Sequence, residues 1–234
     1  MKHNISSLVF FGLFLTSFLA NADSHTANQA NSSEAAQSIN LDKIKAKEGK
    51  NFTRLEEPLK VSTGDKIEVR ELFWYGCGHC NALEPVVIQW VKNKPENSEF
   101  IPMPAVFSQR WVFHAKVYFT LQALGIDEKA HPLVFDSIHK LRKPINNLRQ
   151  LNAFIKSNNF DIDPDRVENA FNSFSVDTNM RAANAYSLKS GANGVPAIIV
   201  DGKFLASVSS AGGGVQLFQL VNELVELAQA ERDS

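Results

Sequence analysis

The chain has only two cysteines in 234 residues, and they stand two residues apart, at Cys77 and Cys80. They fall where one periodicity gives way to another. Ile67-Glu68-Val69-Arg70-Glu71-Leu72-Phe73-Trp74-Tyr75 is rich in β-branched and aromatic residues and reads as a buried strand ending at Gly76. From about Cys77 to Lys92, Leu83, Val86, Val87, Trp90 and Val91 fall on one face of a predicted helix, with Pro85 inside it as a kink. The first sulfur thus meets the free N–H groups and the positive end of a helix dipole, both of which favour its thiolate. The second lies one turn in and is expected to be buried. Cys77 is therefore the candidate attacking thiolate, Cys80 the resolving thiol, and His79 a nearby donor or positive charge. A purely structural bridge would close a loop of two residues and stabilise little. A zinc site needs about two further ligands, and no third Cys is present; His131 and His139 read as packing or surface residues. No metal or organic cofactor is expected.

The rest of the chain supplies a divided α/β pattern. Phe100 to Phe107 reads as an edge or irregular strand because of Pro102 and Pro104. From Gln109 to Ser190 the spacing turns helical: Trp111, Ala115, Tyr118, Leu121 and Leu124; then Leu133, Phe135 and Ile138; then Leu148, Leu151 and Ile155. Asp163 and Pro164 read as the N-cap and first residue of a fourth helix. Met180, Ala183, Tyr186 and Leu188 suit a fifth. Ala197–Val200 and Lys203–Ser207 form a predicted hairpin around Asp201-Gly202. After Gly212-Gly213-Gly214, Val215 to Ala230 closes the chain as a helix. The order is β–α–β, a helical block, then β–β–α.

Leu8 to Ala20 is an apolar run behind Lys2, and Ala20-Asn21-Ala22 fits a small-x-small cleavage pattern. Residues 1–22 are thus expected to be a cleavable export leader, because the apolar run from Leu8 to Ala20 is shorter than the about 20 residues a bilayer span needs. No second long apolar run follows, so stable membrane insertion is not expected. Residues 23–46 are rich in Asn, Ser, Ala and Gln and are expected to be a flexible segment. The formal net charge is −1, with no Lys/Arg-rich stripe, which argues against nucleic-acid binding. An exported chain with one Cys pair meets an oxidising compartment, where a disulfide persists.

These residues carry a resemblance. Glu71-Leu72-Phe73-Trp74-Tyr75-Gly76-Cys77-Gly78-His79-Cys80 resembles the active-site strand and turn of DsbA-like thiol:disulfide interchange proteins. Gly194-Val195-Pro196-Ala197 and Val200-Asp201-Gly202-Lys203 resemble the family's cis-proline loop and following hairpin, and Glu48 to Thr53 its N-terminal strand. The resemblance implies an α/β, thioredoxin-like fold with an inserted helical domain. Residues 47–108 and 191–232 would form the thioredoxin-like part and 109–190 the insertion. It implies that Val195 and Pro196 lie against the sulfurs and pair with an extended substrate. It also implies that Glu71 is a buried acid beneath the disulfide and Glu84 a second acid near Cys80, the two titrating together. Gly78 departs from the proline common there; Cys-Gly-His-Cys is typical of protein disulfide isomerases.

The expected function is that of a periplasmic thiol:disulfide oxidoreductase. It would donate its Cys77–Cys80 disulfide to reduced, unfolded secretory proteins and be reoxidised by a DsbB-type quinone-linked membrane oxidase. Two alternatives stand beside it: an isomerase or reductase of the same fold, and a redox-idle chaperone or binding module. Phe73, Trp74, Phe107 and Trp111 are open between an apolar substrate surface and core.

Overall fold

The computed structural model describes residues 40–234. The leader read at 1–22 and residues 23–39 of the segment after it lie outside the described residues. The end of that segment differs from the flexible tether expected. Residues 41–45 are helical, and Ile44 is 1% exposed, in the main core with Leu41 beside it. Two apolar residues three apart share a helix face, but the pair is too short a signal to stand out from the polar residues before it.

Five strands form one sheet: β1 (Phe52–Arg54), β2 (Ile67–Phe73), β3 (Ser98–Pro104), β4 (Ala197–Val200) and β5 (Phe204–Ser207), in the order β1-β5-β4-β2-β3. All seven residues of β2 are buried. It runs parallel to β3, with Phe73 opposite Pro104, and antiparallel to β4, with Leu72 opposite Ala197. β3 is an edge strand, as its two prolines require, since neither has an N–H for an outer neighbour. Between β4 and β5, Asp201 and Gly202 take φ of 52° and 64°, and the Lys203 N–H donates to the Val200 carbonyl at 2.9 Å. Lys203 is an extra residue after that turn rather than the first of the strand, so pairing resumes at Val200 and Phe204.

The β2–β3 connection is α1 (Gly78–Asn93). The helical block contains α2 (Val112–Ala123), α3 (Asp127–Phe135), α4 (Leu148–Ser157), α5 (Pro164–Phe171) and α6 (Phe174–Lys189). A 3₁₀ turn, Gln109–Trp111, leads into α2, and α3 runs on through a π-helical turn, Asp136–Lys140, closed by Leu141 N–H on the Asp136 carbonyl at 2.9 Å. The short α7 (Val208–Ala211) and the long α8 (Gly214–Arg232) end the chain. Asp163 caps α5 through the Asp165 N–H at 2.8 Å, with Pro164 next, as read from the sequence. In α6 the expected apolar stripe breaks down: Leu188 is 70% exposed, and the buried position goes to Ser187, whose hydroxyl binds the Ala183 carbonyl and the Val106 N–H.

One sheet face packs on α1 and α8, through residues such as Ile67, Val69, Leu83, Trp90, Leu217 and Val221. The helical block has its own core, but Phe73, Tyr75 and Cys80 belong to it. The strand end that presents the first thiol is therefore built partly by the helical block, which decides how the site is held.

Candidate active site

Cys77 is the N-cap of α1, in extended conformation (φ −89°, ψ 116°). Its N–H donates to the Trp74 carbonyl at 2.9 Å, and its sulfur accepts the Cys80 N–H at 3.3 Å. An N-cap side chain normally offers oxygen to these orphan amides; here a sulfur takes that place. The two thiols are unpaired; Cys77 is partly exposed and Cys80 is 1% exposed. The Cys77 thiol is lowered to about 6, first by the hydrogen bond from the Cys80 side chain and then by the N–H groups of Cys80 and His79, partly opposed by burial. The positive charge of His79 is the smallest contribution. Cys80 moves strongly the other way, chiefly through burial, then through its bond to Cys77 and the nearby Glu71 charge. Proton affinity thus differs steeply across one turn, and the exposed sulfur carries the negative charge. Gly78 is exposed, and a Cβ added there would meet nothing within 4 Å.

Glu71 lies on β2 opposite Pro102 of β3 and Ile198 of β4, and is 2% exposed. Burial holds its carboxyl well above the usual range, with the charges of Glu84 and Cys77 adding to the effect. Glu84, on α1, is raised to about 7 by burial and by Asp136. Both acids expected from the sequence are thus buried, and Glu71 feels the charges of Glu84 and Cys77. Pro102, opposite Glu71 on β3, brings it no charge.

Sequence reading missed what surrounds Tyr75. The Tyr75 hydroxyl is 2.9 Å from His131 Nδ1, and His139 Nε2 donates to the Tyr75 carbonyl at 2.8 Å. His131 and His139 pack against aromatic rings, as the packing reading expects, and in addition both bond Tyr75. Burial lowers His131 to about 3, so it is neutral. Its Nε2 is 3.8 Å from Glu84 Oε2, a distance too long for a hydrogen bond. With a neutral ring this is a polar contact and not an ion pair. Which of the Tyr75 hydroxyl and His131 Nδ1 donates follows from the tautomer of the ring.

The Val195–Pro196 bond is cis, and the Val195 carbonyl lies 3.5 Å from Cys77 Sγ. This segment forms one wall of a groove of about 820 Å³ beside the sulfurs. His79, Leu83, Val86, Phe52, Ala206 and Val215 contribute to the other walls. Beyond the cis-proline loop, the apolar residues of this groove larger than alanine that are open to solvent are Val86, Leu205, Val208 and Val215, on α1, β5, α7 and α8. Of the aromatic residues left open by the sequence, one is core and three form a half-buried cluster. Phe73 is fully buried, and Trp74 stacks on Trp111 at 4.6 Å and 1°, with Phe107 edge-on to Trp111 at 5.5 Å.

Residues 101–225 match the family described as DSBA-like thioredoxin domain. The thiol:disulfide interchange protein DsbA of Pseudomonas aeruginosa is 34% identical over 182 residues, covering 78% of this chain and 85% of that protein. The protein of the same name from Azotobacter vinelandii is 34% identical over 190 residues, 81% of this chain and 88% of the relative. The crystal structure of P. aeruginosa DsbA superposes with a TM-score of 0.75 at 33% identity, over 80% of this chain and 96% of that one. That of the oxidoreductase DsbA from Xylella fastidiosa gives 0.71 at 28% identity, over 79% and 96%.

Proposed function

Because the chain belongs to the DsbA-like family of thiol:disulfide interchange proteins, we propose that it oxidises secreted proteins through Cys77 as the exchanging sulfur and Cys80 as its buried partner. A substrate thiolate attacks Cys77 Sγ of the disulfide. The Cys77–Cys80 bond breaks, and Cys80 leaves with the electron pair and takes a proton, for which Glu71 and Glu84 are the buried acids at hand. A second substrate thiolate then attacks the substrate sulfur of the mixed disulfide. The substrate disulfide forms, and Cys77 departs as its thiolate. Two electrons have passed from substrate to protein.

The observation that carries this reading is the asymmetry of the pair. A Cys77 thiol lowered to about 6 stabilises the reduced form, and a stabilised reduced form makes the disulfide a strong oxidant. The Val195 carbonyl beside the sulfur and the apolar groove suit an extended, unfolded chain bearing an apolar side chain. Export to the periplasm rests on the leader at 1–22, and among the described residues no helix is long and apolar enough to cross a membrane. Reoxidation by a quinone-linked membrane enzyme of the DsbB type follows from the family resemblance. The Gly78-His79 dipeptide between the cysteines favours a second reading, in which the reduced form also isomerises wrong disulfides.

Two measurements test the proposal. Cys80→Ala is expected to accumulate mixed disulfides with exported proteins on a non-reducing gel, and Cys77→Ala is not; the reverse pattern overturns the assignment of the two sulfurs. Equilibration with glutathione is expected to give a potential of about −110 to −190 mV, a span that contains reference values of about −120 mV for a DsbA and −180 mV for protein disulfide isomerase. A value near thioredoxin's, about −270 mV, would make the protein a reductase.

A further inference from the structure

We propose that His131 and His139 are positioning residues for the exchange reaction, holding Tyr75 at both ends so that the turn carrying Cys77 stays aligned with the first amides of α1. The inference rests on the reading of Cys77 as the exchanging sulfur.

The Cys77 thiolate is stabilised where it meets the start of α1. Its partners are the Cys80 thiol and the N–H groups at the start of α1, with the Cys80 amide at 3.3 Å. Such contacts depend on the direction in which the sulfur enters the helix end, and that direction is set by the residues leading into Cys77. β2 stops at Phe73, and Cys77 is joined to it by Trp74, Tyr75 and Gly76. No sheet hydrogen bonds hold this segment as strand. Its own turn supplies one bond, Cys77 N–H to the Trp74 carbonyl.

Further restraints come from the helical block. His131 on α3 and His139 in the π-helical turn are eight residues apart, which places them about two turns from each other on one side of a continuous helix. Tyr75 lies between them, hydroxyl on His131 Nδ1 and carbonyl on His139 Nε2. Its ring is fully buried and meets Phe73 at 5.2 Å and Phe135 at 5.1 Å. The Tyr75 carbonyl belongs to the peptide that continues into Gly76, one residue before Cys77. A donor on that carbonyl therefore fixes the peptide plane from which the Cys77 turn springs. The π-helical turn itself has a use in this account. A widened turn moves the residues after it out of the ordinary helical register, and His139 is one of the five residues in that turn.

A residue that only packs the core and one that aligns the thiolate can be told apart. Loss of packing changes stability, whereas loss of alignment changes the thiolate and the redox equilibrium of the folded protein. His139→Leu removes the donor and keeps an apolar side chain. His139→Gln keeps an N–H at about the reach of Nε2. Thiolate absorbance against pH and equilibration with glutathione are measured for wild type and both variants. In folded His139→Leu, the Cys77 titration is expected to move up by about half to one unit, and the equilibrium to shift about three- to tenfold towards the disulfide, or about 15–30 mV more negative. His139→Gln is expected to return most of both. A folded His139→Leu with wild-type titration and equilibrium overturns the proposal, as does a His139→Gln no better than His139→Leu. Should His139→Leu fail to fold, Tyr75→Phe decides: it removes only the hydroxyl bonded to His131, a smaller shift of the same sign is expected, and wild-type values overturn the proposal. The comparison is with wild type at whatever potential it shows, so failure of the clamp is distinct from failure of the oxidase reading.

Discussion

Acidification from about pH 7 to about pH 5 is expected to erase much of the driving force by which the disulfide is reduced. Cys77 lowered to about 6 is about ten parts thiolate to one part thiol at pH 7, while an ordinary thiol near 8.5 is almost wholly protonated. The reduced protein is therefore favoured about elevenfold at pH 7 over one with an ordinary thiol, but only about 1.1-fold at pH 5. The difference is about tenfold, or about 1.4 kcal/mol and 30 mV for a two-electron couple. Cys77 is partly open to water, which screens the effect, so a loss of about three- to tenfold is expected. The sign follows from the direction of the shift. A folded-state value below the unfolded one stabilises the reduced fold fully above about 8.5, and this stabilisation drains away as pH falls through about 6. The assay equilibrates the protein with glutathione buffers across this range, quenches with acid, and measures the reduced fraction after alkylation. Glutathione, with an ordinary thiol, serves as the internal reference. Thiolate absorbance gives the titration midpoint independently. A protein-to-glutathione equilibrium constant that does not change over this range, or a midpoint near 8.5, would refute the reasoning.

Glu84 carries a titration of opposite sign. Its carboxyl stays protonated up to about 7 in the folded protein, so between about 4.5 and 7 the unfolded chain has lost a proton that the fold retains, and stability falls by up to about 3 kcal/mol as pH rises. Glu84→Gln is expected to gain on wild type across that window by about 1–3 kcal/mol in denaturant unfolding; an equal difference at both ends of it counts against a buried protonated acid. Gly76→Ala places a methyl 2.3 Å from the Trp74 ring, which the Trp111 stack holds in place. It is expected to cost about 1–3 kcal/mol by overpacking and to raise the Cys77 titration; unchanged stability and titration would mean that the Trp74 ring moves freely. His79→Ala keeps the backbone N–H and loses only the smallest contribution to Cys77. A rise of a few tenths of a unit is expected, and a rise above about one unit would show that the imidazole does more than its charge accounts for.

What the sequence by itself determined are features settled within a few residues of chain. The buried strand, read to Tyr75 and ending at Phe73 in the structure, and the helix that follows with Cys77 at its N-cap come from one change of periodicity and one sharp turn. The Asp163–Pro164 helix start, the Asp201-Gly202 turn and the edge position of the proline-bearing β3 are equally local, because caps, left-handed turns and missing N–H groups act over one to four residues. The tertiary structure decided the rest. Tyr75 meets His131 and His139 from 56 and 64 residues away, and nothing in the spacing of a lone histidine distinguishes a bonded ring from a solvated one. Glu84 reads as a helix charge until the α3 side chains bury it, and burial rather than sequence sets whether it holds its proton at neutral pH. In the sequence, Phe73, Trp74, Phe107 and Trp111 are open between substrate surface and core; Phe73 is core, the other three are half-buried, and the groove beside the cis-proline loop has Val86, Leu205, Val208 and Val215 among its half-buried or exposed apolar residues, from four elements. Periodicity says which side of an element is apolar, but the surface a substrate meets depends on which of those sides the fold leaves uncovered, and only long-range packing determines that.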